Sequence, residues 1–280
     1  MVTDIKRRFV DLSEGQIHLR EAGRDLPGTP LLMLHQASGA SRAMAPLVEI
    51  IARHRAVIAP DLPGNGDSFA PEAAPDMAGY ADHVARLMDA MKIERVAVYG
   101  FHAGASVAVE LAKAHPDRIA AVILDSMGLY APDEAKAFSD AYVPKIARHP
   151  HGLHMAQTWH YVRDTYLFWP WFETSAEHRR SVGLPATDDI HDKVMEVLKS
   201  LDTFGDYYRA AFLHDKAAVL PLLRGPVLVT AGAGNSQMRH MAEIAALIPG
   251  AETLETPGVY DHESMARTAQ MLSDWLDGVT

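Results

Sequence analysis

The chain has 280 residues, a net charge of −10 and no cysteine. The length holds one large α/β domain or two small ones, with a core that needs no covalent staples. The absent cysteines exclude disulfides, thiol catalysis and thiolate metal sites, and the acidic balance argues against a nucleic-acid partner.

In chain order, FVDLSEGQIHLREAG alternates apolar and polar residues around Glu14-Gly15 and predicts a β-hairpin. PLLMLH (30–35) is a short apolar run suited to a strand buried on both faces. The loop QASGAS leads into an expected helix, MAPLVEIIARH. RAVIAPD (55–61) reads as a second buried strand, and the Gly/Pro loop LPGNGDS follows it. Helix MAGYADHVARLMDAM, strand RVAVYGF, helix HAGASVAVELAKAH and strand IAAVILD (119–125) come next. After a long interval come strand GPVLVTAG (225–232), helix MRHMAEIAALIP, strand ETLETPG and helix ESMARTAQMLSDWLDG. Strands alternating with helices predict a mostly parallel sheet with right-handed crossovers.

Residues 130–215 break this rhythm, being helix-rich and aromatic around WHYVRDTYLFWPWF. An insertion between two sheet strands predicts a helical cap over the strands' C-terminal ends, where open α/β sheets bind ligands. The expected division is a core of 1–129 and 216–280 with the cap at 130–215. The start, MVTDIKRRFV, lacks a signal peptide's apolar core, and no run approaches the ~18 apolar residues of a membrane span. A cytoplasmic protein without a membrane partner is expected.

Gly100-Phe101-His102-Ala103-Gly104 joins a strand to a helix. Gly-x-Ser-x-Gly in this setting is a nucleophile elbow, a sharp turn that presents a serine; here a histidine stands at the centre. Such a turn strains the central backbone and admits only small neighbours. Gly100, Ala103, Gly104 and Ala105 satisfy that demand. At a helix start, His102 meets a positive dipole end that favours the neutral imidazole. A neutral imidazole can attack an activated acyl carbon or take a proton from water.

The ordered set LLMLHQ, VIAPDLPGNGDS, VAVYGFHAG, VILDS, PVLVTAG and DHESMA resembles the α/β-hydrolase superfamily over nearly the whole chain. His-Gln for His-Gly after the first buried strand, with His for Ser in the elbow, resembles a subgroup of hydrolase-like proteins. The resemblance implies a mostly parallel eight-stranded sheet flanked by helices, with the cap inserted after strand 6. It implies His262 as the site histidine and Asp125 as the acid that fixes the tautomer of His262. The usual acid loop reads AGAGNSQMR and offers only Asn235 and Ser236; Asp261 is a solvated rival. The oxyanion donors implied are the N–H groups of Ala103 and Ala37, with the Gln36 amide beside them.

Within the cap, Trp159, His160, Tyr161 and Trp169, with Trp171 and Phe172, are candidate pocket residues. His160, Tyr161 or Arg163 would orient a polar group. His35 is a pocket residue or a brace of its loop, and Asp61 and Asp67 brace the Gly-rich turn. His35, His102 and His262 could converge on a metal, but no ligand spacing supports one, and no cofactor is implied. The expected reaction is hydrolysis of a small apolar ester, lactone or related carbonyl compound. The alternatives are a cofactor-free lyase or oxygenase with a histidine base, and a small-molecule-binding protein on the same scaffold. The expected partner is the small-molecule substrate, with a homodimer as the candidate assembly.

Overall fold

The computed structural model describes residues 4–181, 183–259 and 261–280. Eight strands form one sheet: β1 (Lys6–Leu12), β2 (Gly15–Ala22), β3 (Leu31–Leu34), β4 (Val57–Pro60), β5 (Val96–Phe101), β6 (Ile119–Asp125), β7 (Val227–Gly232) and β8 (Glu252–Thr256). Their order is β1-β2-β4-β3-β5-β6-β7-β8. The β1–β2 hairpin joins β4 antiparallel, and the remaining pairs are parallel. The central strands are buried on both faces, which is why they read as unbroken apolar runs rather than alternations.

Alternate residues face two helical layers. Leu32, Leu34, Val98, Val122 and Val229 pack against α2 (Met77–Ala90) and α3 (Ala103–Ala114). Leu31, Met33, Tyr99, Ile123 and Leu228 pack against α1 (Ser41–Ile51) and α10 (His262–Val279). Helix α1 starts three residues before the predicted MAPLVEIIARH. The cause is Asp61, whose Oδ1 accepts the Ser41 N–H at 2.7 Å and satisfies a donor that the helix itself leaves open.

Between β6 and β7 lie α4 (Pro132–Ala141), α5 (Leu153–Leu167), α6 (Thr187–Lys199), α7 (Phe204–Leu213) and the short α8 (Lys216–Val219); α9 (Met241–Leu247) follows β7. The inserted helices own a core of Tyr161, Val162, Ile190, Val194, Val197 and Phe204. Polar contacts tie them to the loops after β3 and β4. Tyr207 Oη donates to His35 O at 2.9 Å, Arg42 pairs with Asp192, Lys199 Nζ donates to Asp67 Oδ1 at 2.6 Å, and Thr203 donates to the Gly64 carbonyl. The insertion therefore lies against the C-terminal edge of the sheet, where the elbow also sits. No helix among the described residues is long and apolar enough to cross a membrane.

Candidate active site

The elbow is built by close backbone approach. A Cβ on Gly100 would stand 2.4 Å from Gly104 O, and one on Gly104 would stand 2.2 Å from Leu34 O, so neither position admits a side chain. Between them His102 adopts φ 49°, ψ −109°, a conformation costly for a residue with a Cβ. Its N–H donates to Asp125 O at 2.9 Å, which locks the turn to the end of β6. Two further non-glycine residues with positive φ flank it: Ser38 (φ 53°) after β3 and Ser126 (φ 55°) after β6. Backbone strain gathered on one sheet edge is a mark of a functional site.

The His102 ring is partly buried, edge-on to Phe101 with centroids 4.4 Å apart. Burial, followed by the charges of Arg180 and Lys193, pushes its pKa down to about 3. The imidazole is therefore neutral, with desolvation and two cations from the insertion as the causes, rather than the helix dipole alone. Asn235 Nδ2 approaches His102 Nε2 at 3.4 Å. The amide is oriented by its other end, since Asn235 Oδ1 accepts the Gln237 N–H at 2.9 Å. The N–H of Asn235 thus faces Nε2, leaving Nε2 as the acceptor nitrogen and Nδ1 as the protonated one. At 3.4 Å this contact is weak and readily displaced. Asn235 occupies the loop where the sequence offers no acid, and a requirement for a carboxylate concealed its role.

Asp125 lies at the C-terminal end of β6, 3% exposed. Its carboxylate is engaged by Tyr99 Oη (2.6 Å) and Ser126 Oγ (2.8 Å), and not by the expected His262. Burial raises its pKa to about 6 against the opposing pull of those two hydroxyls. The strand's alternation explains the partner: Tyr99, Ile123 and Asp125 share the sheet face toward α10. His262 is the first residue of α10 and is exposed. Among the described residues it makes no side-chain hydrogen bond. The Asp261 carboxylate caps the helix, accepting from Ser264 N (2.9 Å) and Ser264 Oγ (2.6 Å).

Ala103 opens α3, so its N–H is one of the donors that a helix start leaves free. Ala37 is buried in the loop after β3. Beside it Gln36 Oε1 is buried without a hydrogen-bond partner among the described residues. His35 is a brace: fully buried, it donates through Nδ1 to Gln36 O (2.8 Å) and accepts the Leu62 N–H at Nε2 (3.0 Å). Burial lowers its pKa to about 4, consistent with the neutral tautomer that these bonds require.

Of the aromatic candidates, Tyr161 is buried in the insertion's core, and its Oη donates to Tyr208 Oη at 3.5 Å. Tyr208 in turn contacts Ser38 Oγ at 3.1 Å, reaching the loop after β3. Trp159 packs on the same core, and Trp169 on Phe138 and Tyr142. His160 is exposed, contrary to expectation, because it lies on the solvent side of α5. Arg163 is taken up by Asp164.

His18, Asp61 and Asp67 bring potential ligand atoms within 4.8 Å of one another. Their atoms are already committed. Asp61 accepts from His18, Ser41 N and Asp67 N, and Asp67 pairs with Arg7 and Lys199. The cluster braces the loop after β4. A groove of about 390 Å³ between α2 and α7, lined by Asp76, Glu110, Arg209 and His214, includes no residue of the elbow.

The sequence pattern of the alpha/beta hydrolase fold matches residues 29–264. The chain belongs to the α/β-hydrolase family. It is 31% identical over 134 residues to an uncharacterized hydrolase of Saccharomyces cerevisiae, covering 46% of each chain. It is 34% identical over 101 residues to a 2-hydroxymuconate semialdehyde hydrolase of Pseudomonas sp., covering 35% of this chain and 36% of that one. An uncharacterized Mycobacterium tuberculosis protein is 32% identical over 117 residues, 42% of this chain and 34% of its own. The matched region thus spans less than half the length of these curated relatives. Among solved structures, the N-acyl homoserine lactonase AidH superposes with a TM-score of 0.71 at 20% identity, over 99% of this chain and 98% of that one. A thermophilic esterase from Thermogutta terrifontis gives 0.71 at 22%, over 98% and 99%. An enol-lactonase from Burkholderia xenovorans gives 0.69 at 20%, over 96% and 100%. At these identities the likeness is one of fold.

Proposed function

We propose that this α/β-hydrolase cleaves a small, largely apolar ester, lactone or related carbonyl compound, with the neutral imidazole of His102 as its reacting group. The observation that carries this reading is a strained elbow turn that presents a partly buried, uncharged ring at the C-terminal edge of the sheet. Among the described residues the Nε2 lone pair is held only by a weak contact from Asn235. Attacking the acyl carbon, it forms an N-acyl-imidazole as the C–O bond breaks and the alcohol leaves with a proton, and water then cleaves the N–acyl bond to give the acid. Taking a proton from water instead, it delivers hydroxide to the acyl carbon and returns the proton to the leaving alcohol. The net reaction in both cases is ester plus water to acid plus alcohol. The Ala103 and Ala37 N–H groups, with the Gln36 amide, stabilise the oxyanion. His262 is the proton partner, its ring making no side-chain hydrogen bond among the described residues. Asp125 is a positioning residue that fixes the turn through its carbonyl and the strand end through its carboxylate. Helices α4 to α7 form the cap that selects substrate. The pairing of His-Gln after β3 with His in the elbow supports membership of a His-for-Ser subgroup of hydrolase-like proteins, and the reacting atom in this reading is nitrogen rather than a serine oxygen.

The test is steady-state turnover of short-chain p-nitrophenyl esters and simple lactones by the purified wild type. Release of the acid above the buffer rate for at least one class is expected. Absence of turnover across the panel overturns the hydrolase reading.

A further inference from the structure

Two cations of the insertion, Arg180 and Lys193, act on His102 through their charge, and one of them has no counter-ion among the described residues. Lys193, on α6, is largely buried with its Nζ 3.5 Å from Glu196 Oε2, so its charge is partly compensated. Its ammonium lies against the loop after β3, 3.1 Å from where a Cβ on Gly39 would stand, close to the Gln36 amide. Arg180 has no carboxylate within 4.0 Å among the described residues. Its guanidinium donates through Nη1 to Thr165 O at 2.8 Å. Its Nε is buried with no hydrogen-bond partner. The Nε–Nη2 edge is the one that offers two parallel N–H groups to a carboxylate, and no group among the described residues hydrogen-bonds to it. Arg180 is half-buried, so a carboxylate that pairs with its free edge makes a charge-assisted, partly desolvated contact.

We infer that the cap carries a carboxylate-binding subsite, with Arg180 as the bidentate partner and Lys193 as a second cation, so that the substrate bears a carboxylate at the end away from the bond cleaved. This rests on the proposed hydrolase reading for the location of that bond. The subsite also bears on the chemistry. Arg180 and Lys193 both lower the basicity of His102. A bound carboxylate offsets those charges and returns basicity to the ring when the right substrate is present.

The experiment has two arms. Calorimetry compares hexanoate with uncharged hexanamide on wild type, Arg180→Gln and Arg180→Lys. Hexanoate is expected to bind wild type at least tenfold more tightly than hexanamide, and to lose about 10- to 100-fold in Arg180→Gln. Arg180→Lys keeps the charge without the fork, and is expected to fall between the two. Equal binding of acid and amide by wild type, or unchanged hexanoate affinity in both variants, overturns the subsite. The second arm measures kcat/KM for a p-nitrophenyl hemiester of adipic acid against p-nitrophenyl hexanoate. Wild type is expected to prefer the anionic ester, and Arg180→Gln to lose that preference. Carboxylate binding without ester turnover would sustain the subsite and overturn the hydrolase reading alone.

Discussion

Replacing His102 by alanine is expected to lower kcat/KM at least about 100-fold, the lower range of what a positioned acid–base group contributes, while circular dichroism shows the fold retained. In the proposed reaction the imidazole supplies the reacting lone pair, and the two groups described beside it do not supply another. Asn235 is a donor toward it, and Asp125 is committed to Tyr99 and Ser126. The same position carries a second signature. At φ 49° and ψ −109° a Cβ is strained, so His102→Gly should be more stable than His102→Ala by about 1 kcal/mol, the reverse of the usual order. Denaturant unfolding of both variants measures this. A fall in activity smaller than tenfold would contradict the role given to His102.

Tyr99→Phe is expected to destabilise the protein by about 1.5–3 kcal/mol at pH 8 and by less at pH 5. Tyr99 Oη donates to a buried carboxylate, and its removal leaves Oδ2 without a donor. The sign with pH follows from Asp125. Its folded pKa, about 6, lies above its ordinary value of 3.8. The native state therefore holds a proton that the unfolded chain releases, and stability falls as pH rises between these values. Losing the Tyr99 hydrogen bond raises the folded pKa further, so the added penalty appears mainly above pH 6. Melting temperatures at pH 5 and pH 8 check it; equal losses at both would show that Asp125 is not the group affected.

The sheet was legible because its central strands are fully apolar and the turns between them carry glycine, proline and polar residues. The elbow was legible because only Gly100 and Gly104 permit the backbone approach that the structure displays. The contacts around His102 were harder to read. Asn235 belongs to a loop distant in sequence, and its amide acts through orientation rather than charge. Tyr99 looked like one more apolar position of a buried strand, and only the register that pairs Phe101 with Asp125 brings its hydroxyl to the carboxylate. His262 sits where the motif order placed it, yet on the exposed first turn of α10, without the Asp125 contact expected from that order. Arg180 and Lys193 belong to the insertion, where no motif marks a cation and only the fold brings their charge to bear on His102.

The elbow presents an uncharged imidazole. A pH titration of the His102 ring tests it most directly, with histidine labelled at ¹³Cε1 and the resonance assigned by its loss in His102→Ala. Burial and the two cations of the insertion hold the ring near pKa 3, so its shift should stay constant from pH 8 to about pH 4.5. A transition centred near the ordinary histidine value of about 6.5 would mean a solvated, protonatable ring, and would contradict the account.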